Sequence, residues 1–227
     1  MKITRNENET MTDFATRYLR EETMSFKILP SSSIKESEIS KELGISRAPV
    51  REALNRLISE ELVVFKPGKG FFCRQLSLEE VQDLFDVRED LELASLKSAI
   101  VRASDDELQK LLLDTMKSKR VQSSINMDTL VLADEEFHLH LNKLGKNNER
   151  VKFLMNINKR IRFVRQISLL REDRRNSFMD DHIKLVESIL ERDEKKAIDC
   201  LKKHLGNNTE RLRMNISDGL VSIYGMD

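Results

Sequence analysis

The sequence predicts a mainly α protein in which an N-terminal winged helix-turn-helix precedes an all-α bundle of about six helices. Three observations carry this. Glycine (7) and proline (3) are scarce in 227 residues, tryptophan is absent, and strong helix formers are abundant. The one convincing β signal is VVFK-PGKG-FFC, two short β-prone runs around a turn. That hairpin closes an ordered series of helix, helix, glycine turn and helix, after which amphipathic helical patterns run to about Ser217.

The first domain is expected over residues 1–74. Residues 1–10 are polar, and from Met11 to Phe26 the positions of Phe14, Tyr18 and Leu19 form a helical stripe. KILPSSS reads as a loop, because Pro30 and three serines discourage regular structure. ESEISKELG is a short helix stopping at Gly44, a natural left-handed terminator. In ISRAPVREALNRL, Ser46 is the expected N-cap and Pro49 falls in the first turn, where its missing N–H costs little. Leu54, Leu57 and Ile58 then form the apolar stripe of this third helix. The hairpin follows and the domain ends near Arg74.

Residues 75–227 form the second expected domain. Ser77 with Glu80, and Ser104 with Glu107, have the spacing of capping boxes ahead of long amphipathic runs. Asn126, Asn148 and Ser177 mark the starts of further helices. The run from Ser77 to Ala103 is long enough to be one helix or two. There is no internal repeat and no low-complexity segment.

Hydrophobic residues make up 39% and charged residues 34%, a globular rather than a disordered mix. Formal net charge is +0, so no global attraction to nucleic acid exists. Locally, Arg47, Arg51, Arg56, Lys66, Lys69 and Arg74 outnumber Glu52, Glu60 and Glu61, which makes one basic surface. Cys73 and Cys200 fit no metal or redox spacing and read as small hydrophobes. The N-terminus lacks the apolar core of a signal peptide, and no apolar run approaches the roughly twenty residues of a membrane span. A cytoplasmic protein is expected.

The basic surface has a direction. In a helix-turn-helix the N-terminal residues of the second helix point at base edges in the major groove. Arg47 and Arg51 stand one turn apart there, and a guanidinium can contact guanine O6 and N7 together or pair with phosphate. Ser46 and Ala48 add a hydroxyl contact and a close apolar approach. Lys66 and Lys69 flank a turn whose Gly68 and Gly70 leave the backbone bare for minor-groove approach. Taken singly, such arginines are ordinary solvated helix residues; their combination with the turn and the glycine-tipped hairpin points to DNA.

The stretch ESEISKELGISRAPVREALNRLISEELVVFKPGKGFF resembles the DNA-binding domain of the GntR family of bacterial transcription regulators. Ser46, Arg47, Pro49, Val50, Arg51, Ala53 and Leu54 match the family pattern. The resemblance implies operator contacts by Arg47 and Arg51 with Ser46 and Ala48 beside them, and minor-groove entry by Gly68. Two departures stand out: LPSSS replaces the usual Pro-Gly loop, and Glu61 stands where the family has Gly before the wing.

A second constellation lies downstream. Of four histidines, His138 follows Asp134 by four residues, so both project from one helix face. His182 opens HIKLVESIL and His204 closes IDCLKKHL. An antiparallel pairing of those helices through ERDEKK brings the two imidazoles together. Three imidazoles and a carboxylate inside a bundle suit a metal ion, although a single helical histidine is more often structural. His140, about 200° round the helix from His138, is expected to face elsewhere.

This region resembles the FCD domain of the FadR-like GntR regulators, in the residues ADEEFHLHL, DDHIKLVESILERDEKKA and LKKHL. The resemblance implies that Asp134, His138, His182 and His204 bind a divalent metal in an effector pocket. The donor set suits Zn²⁺ and Ni²⁺ and tolerates Mn²⁺ or Fe²⁺. A small carboxylate effector would need fixed cations, for which Arg88, Arg162 and Arg165 are the candidates. The expected function is therefore a homodimeric regulator, a repressor, binding a pseudo-palindromic operator in double-stranded DNA. The competing readings are a metalloenzyme with an accessory DNA-binding domain and a regulator whose metal is purely structural.

Overall fold

The computed structural model describes residues 4–205 apart from residues 26, 76 and 171. The chain forms two compact units, Met1–Ser77 and Leu78–Asp227. The expected helical run as far as Ser217 extends past the described residues.

In the first unit, α1 (Met11–Met24) is capped by Thr10, whose side chain accepts from the Asp13 N–H. It packs across α3 (Arg47–Ser59), while α2 (Glu36–Leu43) ends at Gly44 with φ 67°, the left-handed conformation expected of a terminating glycine. Ser46 has the extended backbone of an N-cap, but its side chain makes no capping hydrogen bond. Ala15, Leu19, Val50, Ala53, Leu54 and Leu57 are fully buried between these helices. Each of these leucines, and Val50, contributes about 1.5–3 kcal/mol on burial.

The wing is β2 (Val63–Lys66) and β3 (Gly70–Cys73), antiparallel, with Val64 opposite Phe72. The Lys69 N–H donates to the Lys66 carbonyl across Pro67 and Gly68, and Gly68 has φ 73°. Proline followed by a left-handed glycine is the requirement of a type II turn.

One expectation for this unit changes. The stretch read as a loop contributes a short strand, β1 (Ser33–Ile34), which pairs with β3 to give the sheet order β1-β3-β2. A strand of 2 residues leaves no alternation to read, and its partner is distant in sequence. Glu61, the departure before the wing, adopts φ 58°. A non-glycine residue costs about 1–2 kcal/mol in that conformation, which is the physical reason for a glycine there. The Glu61 carboxylate also accepts from Arg74 Nη1 at 2.6 Å.

The second unit contains, among the described residues, six α-helices: α4 (Leu78–Arg102), α5 (Asp105–Val121), α6 (Met127–Leu144), α7 (Asn148–Leu170), α8 (Glu172–Leu190) and α9 (Glu194–Leu205). The run after Ser77 is a single helix of 25 residues. Both arms of the Ser104–Glu107 capping box form, and Asn126 caps α6 by accepting from the Thr129 N–H. Ser177 does not start a helix; it lies inside α8, which begins at Glu172. The charged run EDRRN looks like a connection but has no glycine or proline to stop a helix, and Glu and Arg are good helix formers. Leu96, Ala99, Leu108, Leu141, Leu185, Val186, Ile189, Ala197 and Leu201 make one buried core cluster joining α4, α5, α6, α8 and α9. No helix among the described residues is long and apolar enough to cross a membrane.

Candidate nucleic-acid interface and metal centre

The amphipathic register of α3 decides which side chains face solvent. With Val50, Ala53, Leu54 and Leu57 turned inward, Ser46, Arg47, Ala48 and Arg51 are all exposed. The first turn of α3 holds no acidic residue, so the arginines add to the positive end of the helix dipole instead of neutralising it. Arg51 is 64% exposed, and its nearest acid, Glu36, is 3.7 Å away. Arg56 behaves differently: it pairs with Asp13 and with Glu52, each at 2.7 Å. Of the three cations on this helix, Arg56 is committed within its own domain. On the wing, Lys66, Gly68 and Lys69 are exposed, and Lys66 Nζ rests 4.6 Å from the centre of the Phe72 ring.

In the second unit, Asp134 and His138 sit one turn apart on α6, His182 on α8 and His204 on α9. The structure brings all four together, buried, with donor atoms within 4.8 Å of one another. His138 Nε2 and His182 Nε2 lie 3.1 and 3.0 Å from His204 Nε2. Asp134 Oδ1 is 3.5 Å from His138 Nε2, 3.3 Å from His182 Nε2 and 4.0 Å from His204 Nε2. Ligands about 2.1 Å from one ion stand about 3.0 Å apart at a right angle and about 3.4 Å apart at the tetrahedral angle. Separations of 3.0 to 4.0 Å lie within the reach of ligands sharing a single cation.

The surroundings fix which atoms point inward. Glu92 on α4, fully buried, places Oε2 2.6 Å from His138 Nδ1, while the Nε2 edge of that ring faces His204. The His182 ring stacks on Phe137 with centroids 3.7 Å apart and meets the Phe178 edge at 5.5 Å. His204 Nδ1 lies 3.9 Å from Asp181 Oδ2. Arg165 donates through Nε at 3.2 Å and also through Nη2 to Asp134 Oδ2, which leaves Oδ1 for the imidazoles. His140 is half-buried and lies outside the cluster, as its helical position implies.

The electrostatics favour a neutral His182 and an ionised Asp134. Burial, reinforced by the charge of His204, pushes His182 down to about 3. Burial by itself would raise the Asp134 carboxyl, but Arg165 and the two histidines hold it well below the carboxylate range. Glu92 is likewise lowered, because His138 and Arg88 outweigh its burial. A neutral imidazole at His182 and an ionised carboxylate at Asp134 are the protonation states in which these two groups bind a metal.

The three candidate effector arginines divide. Arg88 and Arg165 are buried in the centre: Arg88 Nε donates to Glu92 Oε1 at 2.6 Å, and Arg165 Nη1 to Asn158 Oδ1 at 3.0 Å. Arg162 is half-buried and grips Glu135 through Nε at 3.1 Å and Nη2 at 2.7 Å. Glu92 and Asp181 escaped the sequence reading. Glu92 lies 46 residues from His138, and the i,i+4 spacing of Arg88 and Glu92 is equally common on solvated helices.

Residues 83–207 match the model of the FCD domain, and residues 12–73 that of the bacterial regulatory proteins of the gntR family. The chain is 31% identical over 201 residues to the Nta operon transcriptional regulator of Aminobacter aminovorans, covering 88% of this chain and 94% of that protein. It is 21% identical over 197 residues to the HTH-type transcriptional repressor RspR of Escherichia coli, covering 87% and 86%. Among solved structures, E. coli McbR/YncC superposes with a TM-score of 0.75 at 17% identity, covering 92% of this chain and 99% of that one.

Proposed function

Since this chain belongs to the GntR family of bacterial regulatory proteins and carries an FCD domain, we propose that it is a homodimeric repressor whose hold on DNA is set by a small carboxylate at a metal centre. Its class is that of its relatives, which are transcription regulators and not enzymes. The metalloenzyme reading is therefore set aside.

The observation that carries the proposal is the convergence of three imidazole Nε2 atoms and one carboxylate oxygen in a buried cluster. Charge supports an anionic effector. Arg88 is balanced by Glu92, Arg165 by Asp134, and Arg162 by Glu135. A bound divalent cation would supply two further positive charges. Asn158 Nδ2, buried next to Arg165 and without a hydrogen-bond partner among the described residues, is a donor available to a carboxylate oxygen.

Operator contact falls to Ser46, Arg47, Ala48 and Arg51 in the major groove, and to Lys66, Gly68 and Lys69 at the wing. A two-fold dimer places two such domains on half-sites of a pseudo-palindrome. Val87 on α4 and Phe153 on α7 are exposed apolar residues, which supports a protein contact on these helices. The effector acts by binding one dimer geometry more tightly than the other. The repressor role is taken from relatives such as RspR, and action on the genome implies a cytoplasmic protein.

Burial of all four ligands is also what a structural metal requires, so that reading stays open to test. Selection of bound genomic fragments, footprinting, and a reporter driven from the recovered site together test the proposal. Two protected half-sites and relief of repression by a carboxylate are expected. A single unrepeated site, or activation, would overturn it. Under the structural-metal reading, chelation lowers the melting temperature and leaves the effector response unchanged.

A further inference from the structure

Glu92 is a buried carboxylate with both oxygens committed. Oε2 meets His138 Nδ1 at 2.6 Å and Oε1 meets Arg88 Nε at 2.6 Å. Glu92 is 0% exposed and Arg88 4%. Neither residue is among the four converging donors, and Glu92 comes from α4, which contributes no ligand. A buried ion pair is a poor source of stability, because desolvation consumes most of the attraction. The pair is explained better by what it holds in place.

We propose that Glu92 is the positioning residue of the metal centre, fixing His138 as an Nε2 donor, and that Arg88 aims Glu92. An imidazole has two nitrogens and, when neutral, one proton. A carboxylate only accepts, so its contact with Nδ1 places the proton there and leaves Nε2 as the bare lone pair facing Asp134 and His204. The carboxylate would otherwise be free to rotate; the Arg88 Nε–H on its other oxygen prevents this. Arg88 and Glu92 are one helical turn apart, so α4 delivers the tie as a rigid unit. Arg88, a candidate effector ligand, thus acts on the metal through two intermediaries. His182 has no such tie: its Nδ1 lacks a hydrogen-bond partner among the described residues, and Phe137 and Phe178 hold its ring instead.

This inference rests on the metal reading above, and its test separates the two. Glu92→Gln keeps the shape but has one acceptor oxygen, so it can satisfy His138 Nδ1 or Arg88 Nε but not both. The readouts are Zn²⁺ affinity by chelator competition and the His138 tautomer by ¹⁵N-histidine NMR of the metal-free protein. With four histidines, single substitutions assign the spectrum. The wild type is expected to show His138 protonated at Nδ1. The variant should mix tautomers and bind Zn²⁺ about 10–100-fold more weakly. Glu92→Asp, which retains the charge opposite Arg88 but shortens the reach to Nδ1, serves if Glu92→Gln does not fold and should move both readouts the same way. Unchanged affinity with an unchanged tautomer would overturn the role of Glu92. Wild-type protein that takes up no divalent metal would instead overturn the metal reading, and the tautomer would still report on Glu92.

Discussion

Gly145→Ala tests the packing that brings α4 to α6. Gly145 terminates α6 with φ −68° and ψ −5°, angles that alanine adopts without strain. On backbone grounds alone the substitution would stabilise by about 0.4–1 kcal/mol, because it restricts the unfolded chain. The space around it decides otherwise. An added Cβ would lie 2.8 Å from the Ser95 carbonyl oxygen, 3.1 Å from the Asn142 carbonyl oxygen and 3.2 Å from Ser95 Cα. These are backbone atoms of two long helices and cannot rotate away. Relief requires the helices to part by roughly half an ångström, an overpacking cost of about 1–3 kcal/mol. The net expectation is destabilisation by about 1–2 kcal/mol, or a melting temperature lowered by about 2–8 °C for a protein of this size. Circular dichroism melts in the presence of chelator measure it free of metal stabilisation. A melting temperature equal to or above that of the wild type would refute the close approach of α4 and α6. Because α4 carries Glu92 and α6 carries Asp134 and His138, the variant should also bind Zn²⁺ more weakly.

Arg51→Ala should weaken operator binding by about 1–3 kcal/mol without unfolding the protein, whereas Arg56→Ala, whose charge is spent on Asp13 and Glu52, should weaken it far less; equal losses in fluorescence anisotropy would contradict this division. His182→Ala should abolish metal uptake, read by elemental analysis, while the helical dichroism persists; a full complement of metal would exclude His182 as a ligand. Protonation gives a further expectation for the chelated protein. The folded value of His182 is about 3 and the ordinary value 6.5, so between them the unfolded chain binds the extra proton. Stability from this group is complete above the ordinary value and is lost as pH falls below it, at up to about 1.4 kcal/mol per pH unit. Urea melts at about pH 7.5 and about pH 5.5 that gave equal stability would oppose a buried neutral imidazole.

Much of this was legible in the sequence because the signals are local. Gly44 stops a helix, PGKG turns a hairpin, and four residues bring Asp134 and His138 onto one face. His182 and His204 were reachable through the short connection that folds α9 back on α8. What escaped depends on distant partners or on burial. β1 exists only through β3. Arg56 looked like part of a basic surface until Asp13 on α1 claimed it. Glu92 in DVREDLE is chemically the same as its neighbours Glu89 and Asp90, and only its 0% exposure against His138 sets it apart. Ser177 misled because a charged run without glycine or proline can pass for a connection.

The central claim is that a carboxylate at the metal centre sets the affinity for DNA. It is tested most directly by measuring operator Kd for Zn²⁺-loaded wild-type protein against a panel of small di- and tricarboxylates, with and without chelator. At least one acid should change Kd by about 5–150-fold, the usual range of coupling between sites, and the change should vanish on chelation. A Kd that no acid moves, or one moved equally after the metal is removed, would contradict the account.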